Sequence, residues 1–535
     1  MNRTGRVALL LLVATIVYAN TLPNDFALDD NLYIFQNPAV TNFSWGGLFQ
    51  PHVKANVFRP VTFLSLWLNW GVAGHHAWVY HLCNLLLHAV VTLLLYLVLR
   101  KLLKPLANRE NLAWIAALLF AVHPIHTDAV ASVIGRSELL AAVFLFAAWI
   151  FHLDDRIALS LVCFGLALFS KESALAFLPL VFIGDYVSRT FKSLYRYGLI
   201  AGVACVYMAL LWRIQGNRFG QKTVPFTENP LAYLPAGLRI LNALRVAWKY
   251  VWLQAYPATL SCDYSFNSIP VYAIPGHTLP ALFATLIVLA LWVWAFLTKR
   301  FAWFLAGGLY LAGFAITSNV FVPTGTILGE RLAYLPSAGF CLMCALLWAW
   351  LYQRQRTVAR TVLGVLVVAL AARTLLRNRD WRDNFTLFTA AEKAVPENAS
   401  IHDALAGAYE QLGEHDAAQA QTEATIAIYP DFPEVLQSQG IPERDFRIVN
   451  LAVALMKQGE DEDALQFVNL AIDGSPNFSL AWSTRAVANY RLGAPTSARA
   501  DAMQALRLDR TNTQALYLLG LLNSPSPKPD GTTPR

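Results

Sequence analysis

Two carboxylates stand side by side in the segment L-D-D-N, as Asp29 and Asp30. Adjacent like charges raise the proton affinity of one member, which suits it to draw a proton from a hydroxyl nucleophile. Cations recur in comparable settings, each beside the end of an apolar run: Arg59 in F-R-P, Arg136 in G-R-S-E, Lys171 in S-K-E and Arg331 in G-E-R-L. Arginine forks and lysine point charges suit phosphate. A base for an acceptor hydroxyl and a cationic clamp for a phosphate leaving group together describe group transfer from a phosphate-activated donor. Glu138, Glu172 and Glu330 lie next to these cations as supporting polar groups. The turn H-P-I-H-T-D adds His123, His126 and Asp128. Those three are the candidates for a metal, but Pro124 keeps the two histidines off a common helical face, so hydrogen bonding within the turn is the plainer role and no metal is expected. A paired Asp in a loop has a plain role too, as a turn or helix cap. Co-location of all these groups on one side, more than any single spacing, carries the chemistry.

The elements that must position them are apolar helices. Eleven apolar segments run along the chain, at 7–22, 80–99, 111–127, 138–153, 157–170, 173–187, 197–214, 277–297, 301–318, 332–352 and 358–376. Basic clusters fall at Arg3/Arg6, Arg100–Arg109, Arg156, Arg189–Arg196, Lys299–Arg300 and Arg354–Arg360. Threading the segments from a cytoplasmic N-terminus puts every cluster in the cytoplasm, as the positive-inside bias requires. The first segment counts as an uncleaved helix in this scheme. Asp29, Arg59, Lys171, Glu172, Arg213, Arg218, Asp263 and Arg331 then share the opposite side, where ionisable groups beside spanning helices mark a site. The stretch 237–256 carries Arg239, Arg245 and Lys249 and would break the alternation, so it reads as re-entrant or interfacial.

With 535 residues, 56% hydrophobic and 14% charged, the chain is a polytopic membrane protein of the all-α class and not a soluble enzyme. The net charge of +7 belongs to the cytoplasmic loops, which argues against a nucleic-acid partner. The six cysteines sit mostly in apolar segments, and Cys341-x-x-Cys344 has no second Cys/His pair nearby, so packing is their expected role.

Composition changes near Arg377, and a 34-residue period begins. One unit starts at Ala399, with Leu405, Ala406, Tyr409, Gly413, Ala418, Thr425 and Pro430 at tetratricopeptide marker positions. A second starts at Asp445, with Leu451, Ala452, Leu455, Gly459, Ala464, Ala471 and Pro476; a third starts at Ser479, with Trp482, Ala486, Gly493, Ala498 and Ala505 but Arg510 in place of proline. Residues 380–396 match half of an earlier repeat, and an insertion at 433–444 separates the first two full units. This organisation predicts a membrane domain at 1–377, a tetratricopeptide (TPR) α-solenoid at 378–525 and a disordered tail at 526–535. Such solenoids offer a groove to a protein or peptide.

At these motifs the chain resembles the transmembrane and tetratricopeptide-repeat O-mannosyltransferases, multi-pass members of the GT-C glycosyltransferase class. The stretches are L-D-D-N (28–31), F-R-P through H-L-C-N-L-L-L-H-A (58–89), A-V-H-P-I-H-T-D-A-V-A-S-V-I-G-R-S-E-L-L (121–140), F-S-K-E-S (169–173), V-P-T-G-T-I-L-G-E-R-L-A-Y-L-P-S-A-G-F (322–340) and N-R-D-W-R-D (378–383). The resemblance implies a GT-C-like helical membrane domain with about eleven crossings. It implies a polyprenyl- or dolichyl-phosphate sugar donor, commonly mannose, with Ser or Thr hydroxyls of protein acceptors on the periplasmic or lumenal side. The family's acidic motif carries over onto Asp29 and Asp30; Arg59, Arg136, Lys171 and Arg331 are its lipid-phosphate candidates by position. About three and a half repeats and compact loops suggest a bacterial inner-membrane relative, with the endoplasmic reticulum as the alternative. Two other classes stay open: a non-catalytic envelope scaffold whose repeats organise partners, and a transporter of lipid or saccharide, for which no internal duplication of half-helices is visible.

Overall fold

The computed structural model describes residues 2–49, 57–215, 224–428 and 441–523. Arg218, Pro430, Pro433 and the expected tail lie outside them.

Each of the eleven apolar segments folds as a helix. In order these are α1 (Arg3–Tyr18), α3 (Ala77–Leu102), α4 (Arg109–Val122), α5 (Arg136–Leu153), α6 (Ile157–Ser170), α7 (Phe177–Ser188) and α8 (Leu194–Gln215). They continue as α10 (Pro275–Leu297), α11 (Phe301–Ala315), α12 (Ser337–Arg354) and α13 (Arg356–Asp380). Between them, besides helices of a single turn, lie α2 (Pro60–Ala73) before α3, and α9 (Ala236–Ala255) at the segment read as interfacial. Six, namely α1, α3, α5, α8, α10 and α13, are long and apolar enough to cross a membrane by themselves. α4 makes a seventh if joined to Pro124–Val130 across a 55° bend, while α6 and α11 are apolar but shorter. Their common core gathers Leu99, Phe120, Phe146, Trp149, Phe164, Leu180, Leu305 and Leu342. α10 instead exposes Phe283, Ile287, Leu291 and Trp294, the surface of a helix that faces lipid.

Contacts between loops place five of the six basic clusters, all but Arg354–Arg360, at one end of this bundle. Arg6 donates to Asn111 at 2.9 Å, Lys101 pairs with Asp154, and Lys192 pairs with Asp155 at 2.8 Å. Arg189 stacks over Phe301, 5.0 Å from its centroid, bringing the loop before α8 to the loop before α11. The alternation read from the sequence thus has a spatial counterpart.

The tail is a helical solenoid: α14 (Asn384–Ala394), then the pairs α15 (Ala399–Leu412) with α16 (His415–Ile428), α17 (Glu443–Lys457) with α18 (Asp461–Gly474) and α19 (Ser479–Arg491) with α20 (Pro495–Leu508). A last helix, α21 (Thr513–Asn523), covers the final pair. Ala406, Ala418, Ala452, Ala464, Ala486 and Ala498 are buried where paired helices approach closely. The turn glycines expected from the repeat, Gly413, Gly459 and Gly493, have φ of 76°, 83° and 75°, a left-handed backbone that glycine adopts without a Cβ penalty. Asp383 and Thr386 form a capping box at α14, and Asn398 caps α15.

The solenoid does not stand apart from the membrane domain. Leu231, Leu260 and Phe266 from the loops around α9 share one core with Phe446, Phe467 and Phe478 from the repeats. Backbone pairing adds to it: Ala399 N–H donates to Phe266 O at 2.8 Å, and Asn267 N–H donates to Glu397 O at 3.1 Å.

Candidate active site

Ionisable residues collect at the bundle end opposite the basic loops, and the loop 25–30 brings the acidic pair among them. Leu28 has φ of 58°, in the left-handed region, at a strain of about 1–3 kcal/mol for a side-chain-bearing residue. Its N–H donates to Asn384 Oδ1 at 2.7 Å, and Asp25 N–H donates to Arg382 O at 2.8 Å, so the entry to the repeats holds this bend.

The bend separates the two carboxylates. Asp30 is fully buried and accepts three backbone N–H groups: Ala27 at 3.2 Å, Val133 at 3.3 Å and Ile134 at 3.0 Å. Burial pushes its carboxyl up to about 7, against three hydrogen bonds that favour the charge. Asp30 therefore braces the turn 131–135. Gly135 lets that turn close, because a Cβ there would lie 2.4 Å from Ala129 O. Asp29 keeps about a third of its side chain exposed and meets a single guanidinium, Arg331 Nη2, at 3.2 Å. Of the pair, only Asp29 has a carboxylate available to a substrate.

Arg331 stands between two carboxylates. Its backbone N–H donates to Asp128 Oδ2 at 2.9 Å, and its Nη1 lies 3.9 Å from Asp128 Oδ1. Burial disfavours its charge, but Asp128 and then Asp29 outweigh that and keep it protonated. Asp128 itself is buried, and burial raises its carboxyl.

Two more ion pairs line the same end. Arg59 grips Glu172 bidentately, Nε to Oε2 at 3.2 Å and Nη2 to Oε1 at 2.8 Å. Burial raises the Glu172 carboxyl, but Arg59 and then Lys171 prevail and hold it well below the usual range. Lys171 pairs with Glu138, both buried. Burial lowers the Lys171 ammonium, with Glu138 opposing. Arg59 and Arg331 both act electrostatically on Lys171 and on Tyr33, so the three cations form one group.

Arg136 is not part of that group. It is 1% exposed, and its guanidinium donates to Asn84 Oδ1 at 2.9 Å, Tyr80 O at 3.0 Å, Ser65 O at 3.3 Å and Asn69 Oδ1. With its donors taken by α2 and α3, it ties those helices to α5, which corrects its expected role at a phosphate. Glu330 is likewise inward, accepting Ser261 N–H and the Tyr264 hydroxyl, both at 2.7 Å, and burial pushes its carboxyl up to about 7.

The histidines face the packing. His123 Nδ1 accepts Ile125 N–H at 3.2 Å, so Nε2 donates to Gln254 O at 3.0 Å. Both ring nitrogens are thereby assigned, leaving no lone pair for a metal with Asp128. Ser337 Oγ donates to Tyr334 O at 2.7 Å, so His126 Nε2 donates to Ser337 Oγ at 2.7 Å.

Sequence reasoning missed Glu228. It lies in F-T-E-N-P, and burial followed by Asp263 and Asp29 pushes its carboxyl up to about 7, with Arg331 opposing. Asp263, noted only as one outer-side charge, therefore joins the acidic side of Asp29. No short motif signals Glu228, because its partners lie far away in the chain.

An apolar groove of about 390 Å³ runs between α6 and α8, lined by Leu161, Gly165, Leu168, Gly202, Val203 and Tyr207. At the active-site end Phe169 meets Tyr207 (ring centroids 5.8 Å apart) and Phe58 (5.9 Å), directly before Ser170–Lys171–Glu172 and Arg59.

No family model matches the chain. Curated relatives do. The protein O-mannosyl-transferase F38B6.6 of Caenorhabditis elegans is 31% identical over 74% of this chain and 58% of its own length. Protein O-mannosyl-transferase TMTC3 of Mus musculus is 26% identical over 96% of this chain and 65% of its own, and human TMTC1 is 25% identical over 82% and 57%. The chain thus spans about three-fifths of the length of these relatives. Set beside the all-helical membrane bundle and the repeats that follow it, these matches show the chain to be related over most of its length to the transmembrane and tetratricopeptide-repeat proteins whose curated members are named protein O-mannosyl-transferases.

Proposed function

We propose that the chain is a membrane glycosyltransferase that moves a sugar, mannose by family resemblance, from a polyprenyl- or dolichyl-phosphate donor to Ser or Thr hydroxyls of protein acceptors. The observation that carries this reading is the contrast within the acidic pair: Asp30 is consumed by three backbone donors, whereas Asp29 is accessible beside Arg331. Asp29 takes the proton as the acceptor oxygen attacks the anomeric carbon, and the bond from that carbon to the phosphate oxygen breaks. Attack from the opposite face inverts the anomeric centre. The leaving lipid phosphate gains charge, which Arg331, Lys171 and Arg59 are placed to stabilise. Each is now paired with a carboxylate, so donor binding exchanges protein ion pairs for phosphate contacts. The groove between α6 and α8 suits the isoprenoid chain, since its apolar wall includes Phe169, two residues before Lys171.

In this reading the site faces the periplasm or lumen, because the basic end of the bundle stays in the cytoplasm. The TPR groove recruits the acceptor protein. No metal has an assigned step. The test is transfer from polyprenyl-phosphate mannose to a Ser/Thr peptide in proteoliposomes, read by mass spectrometry. A hexose gain that depends on Asp29 supports the reading; a fully active Asp29→Asn variant sinks it.

A further inference from the structure

A second cluster of ionisable side chains lies away from these residues, where α10 begins and the repeats touch the membrane domain. His277 in the first turn of α10 places Nδ1 2.6 Å from Oδ2 of Asp463, which sits in the first turn of α18. Asp463 is 1% exposed, and its Oδ1 accepts Ala273 N–H at 2.5 Å and Ile274 N–H at 2.7 Å. Glu460, immediately before α18, completes the group: one ligand atom each from His277, Glu460 and Asp463 lies within 4.8 Å of the others.

The carboxylate of Glu460 has no hydrogen-bond donor or ion-pair partner among the described residues, yet it converges on the buried Asp463 carboxylate. Such convergence of like charges is unfavourable unless a cation answers it. A cation in the neighbourhood, Arg245, is committed elsewhere: it stacks 4.1 Å from the Tyr272 ring centroid and donates to Pro270 O at 2.9 Å. It interacts with Asp463 and Glu460 electrostatically without a hydrogen bond. Tyr272 in turn packs edge-on against His277, with centroids 4.5 Å apart, which limits how the imidazole turns.

We propose that His277, Glu460 and Asp463 form a divalent-metal site of the zinc class that joins the repeats to the membrane domain. One imidazole nitrogen and two carboxylate oxygens are a zinc donor set, with bonds of about 2.0–2.2 Å and a fourth position left for water. Asp463 is held in place by its two backbone donors. His277 and Glu460 are exposed and half-buried, so an ion enters from solvent, the imidazole draws back from its 2.6 Å contact with Asp463 to make room, and Glu460 closes on the ion. Binding at Nδ1 requires the imidazole proton to move to Nε2, with no change in its charge. His277 and Asp463 are 186 residues apart in the chain, so the ion would staple α18 to the start of α10. This inference does not depend on the transferase reading.

The test uses the purified full-length protein, stripped with a chelator and titrated with Zn²⁺ by calorimetry, with metal content measured by mass spectrometry. His277→Ala and Glu460→Gln change side chains that need not be buried and lie outside the proposed catalytic group. The expected result is one equivalent of Zn²⁺ per chain, at least tenfold weaker binding in each variant, and a rise in thermal midpoint with Zn²⁺ in the parent only. Absence of stoichiometric binding, which would leave His277–Asp463 as a hydrogen-bonded contact alone, overturns the proposal. So does binding that both variants retain.

Discussion

Arg331 and Asp29, 302 residues apart in the chain, meet at 3.2 Å. The contact ties the first loop to the segment before α12 and sets the protonated guanidinium beside the one accessible carboxylate of the pair. A carboxylate held this way is fixed in place, as a base for a hydroxyl must be.

Asp29→Asn keeps the shape of the side chain and removes the base. We predict a folded protein with about 10²–10⁴-fold lower glycosyl transfer. Thermal midpoint and rate measured on one preparation separate these effects, and undiminished transfer refutes the role.

Asp30→Asn acts on the fold. It turns an acceptor toward one of three backbone N–H donors into an amide donor, at a cost of about 1–3 kcal/mol. A lowered thermal midpoint is expected; an unchanged one with abolished transfer would assign the base to Asp30 instead.

The cations separate in a similar way. Arg331→Ala should weaken donor binding about ten- to hundredfold, the loss of one charge-assisted contact of about 1.5–3 kcal/mol. Lys171→Ala strands the buried Glu138 charge and costs about 3–5 kcal/mol of stability. The informative variant is therefore Lys171→Met with Glu138→Gln, which keeps the volume and removes both charges. It should fold and bind lipid-phosphate sugar weakly; normal donor affinity would place the phosphate elsewhere.

Stability should fall as pH rises toward neutrality at Glu330. Burial lifts its folded carboxyl from an ordinary 4.5 to about 7. Below 4.5 both states are protonated and the stabilisation is full; between 4.5 and 7 the unfolded chain ionises first, and the contribution is lost as pH passes the folded value. Glu330→Gln has no such titration. The gap in thermal midpoint between parent and variant, measured at pH 5 and at pH 8, should therefore shift against the parent at the higher pH. An identical gap at both contradicts this account.

Topology gives a fifth test. A reporter fused after Thr389 should read as periplasmic or lumenal and one after Arg356 as cytoplasmic. A cytoplasmic signal after Thr389 would remove the repeats from the acceptor side.

Helix positions were legible because long apolar runs need no distant information: all eleven appear, as do the repeat turns at Gly413, Gly459 and Gly493. The outer-end charges Asp29, Arg59, Lys171 and Arg331 were legible as a set because each ends an apolar run. Their roles were not. Asp30 and Asp29 are equivalent on paper, and only the left-handed Leu28 backbone sends them different ways. Arg136 looked like its fellow cations until Asn69, Tyr80 and Asn84 claimed its donors. Glu228 joined the site through contacts that no local pattern encodes. The contact between the repeats and the loops around α9 was not legible either, because Leu231 and Phe266 meet Phe446, Phe467 and Phe478 only across about 200 residues of chain.

The brace on the first loop carries a consequence for biogenesis. Asp25 and Leu28 are translated early, but the groups that hold them, Arg382 O and Asn384 Oδ1, emerge from the ribosome more than 350 residues later. The loop that carries Asp29 is therefore set only after the whole bundle has been made and the first repeat helix has begun. A nascent or prematurely ended chain lacks both of these holds on the loop, so under the proposed mechanism it would lack a positioned base. Chains arrested before residue 384 should accordingly insert and yet fail to transfer sugar even to a short peptide, whereas Asn384→Ala in the complete protein should lower turnover with the peptide's KM unchanged.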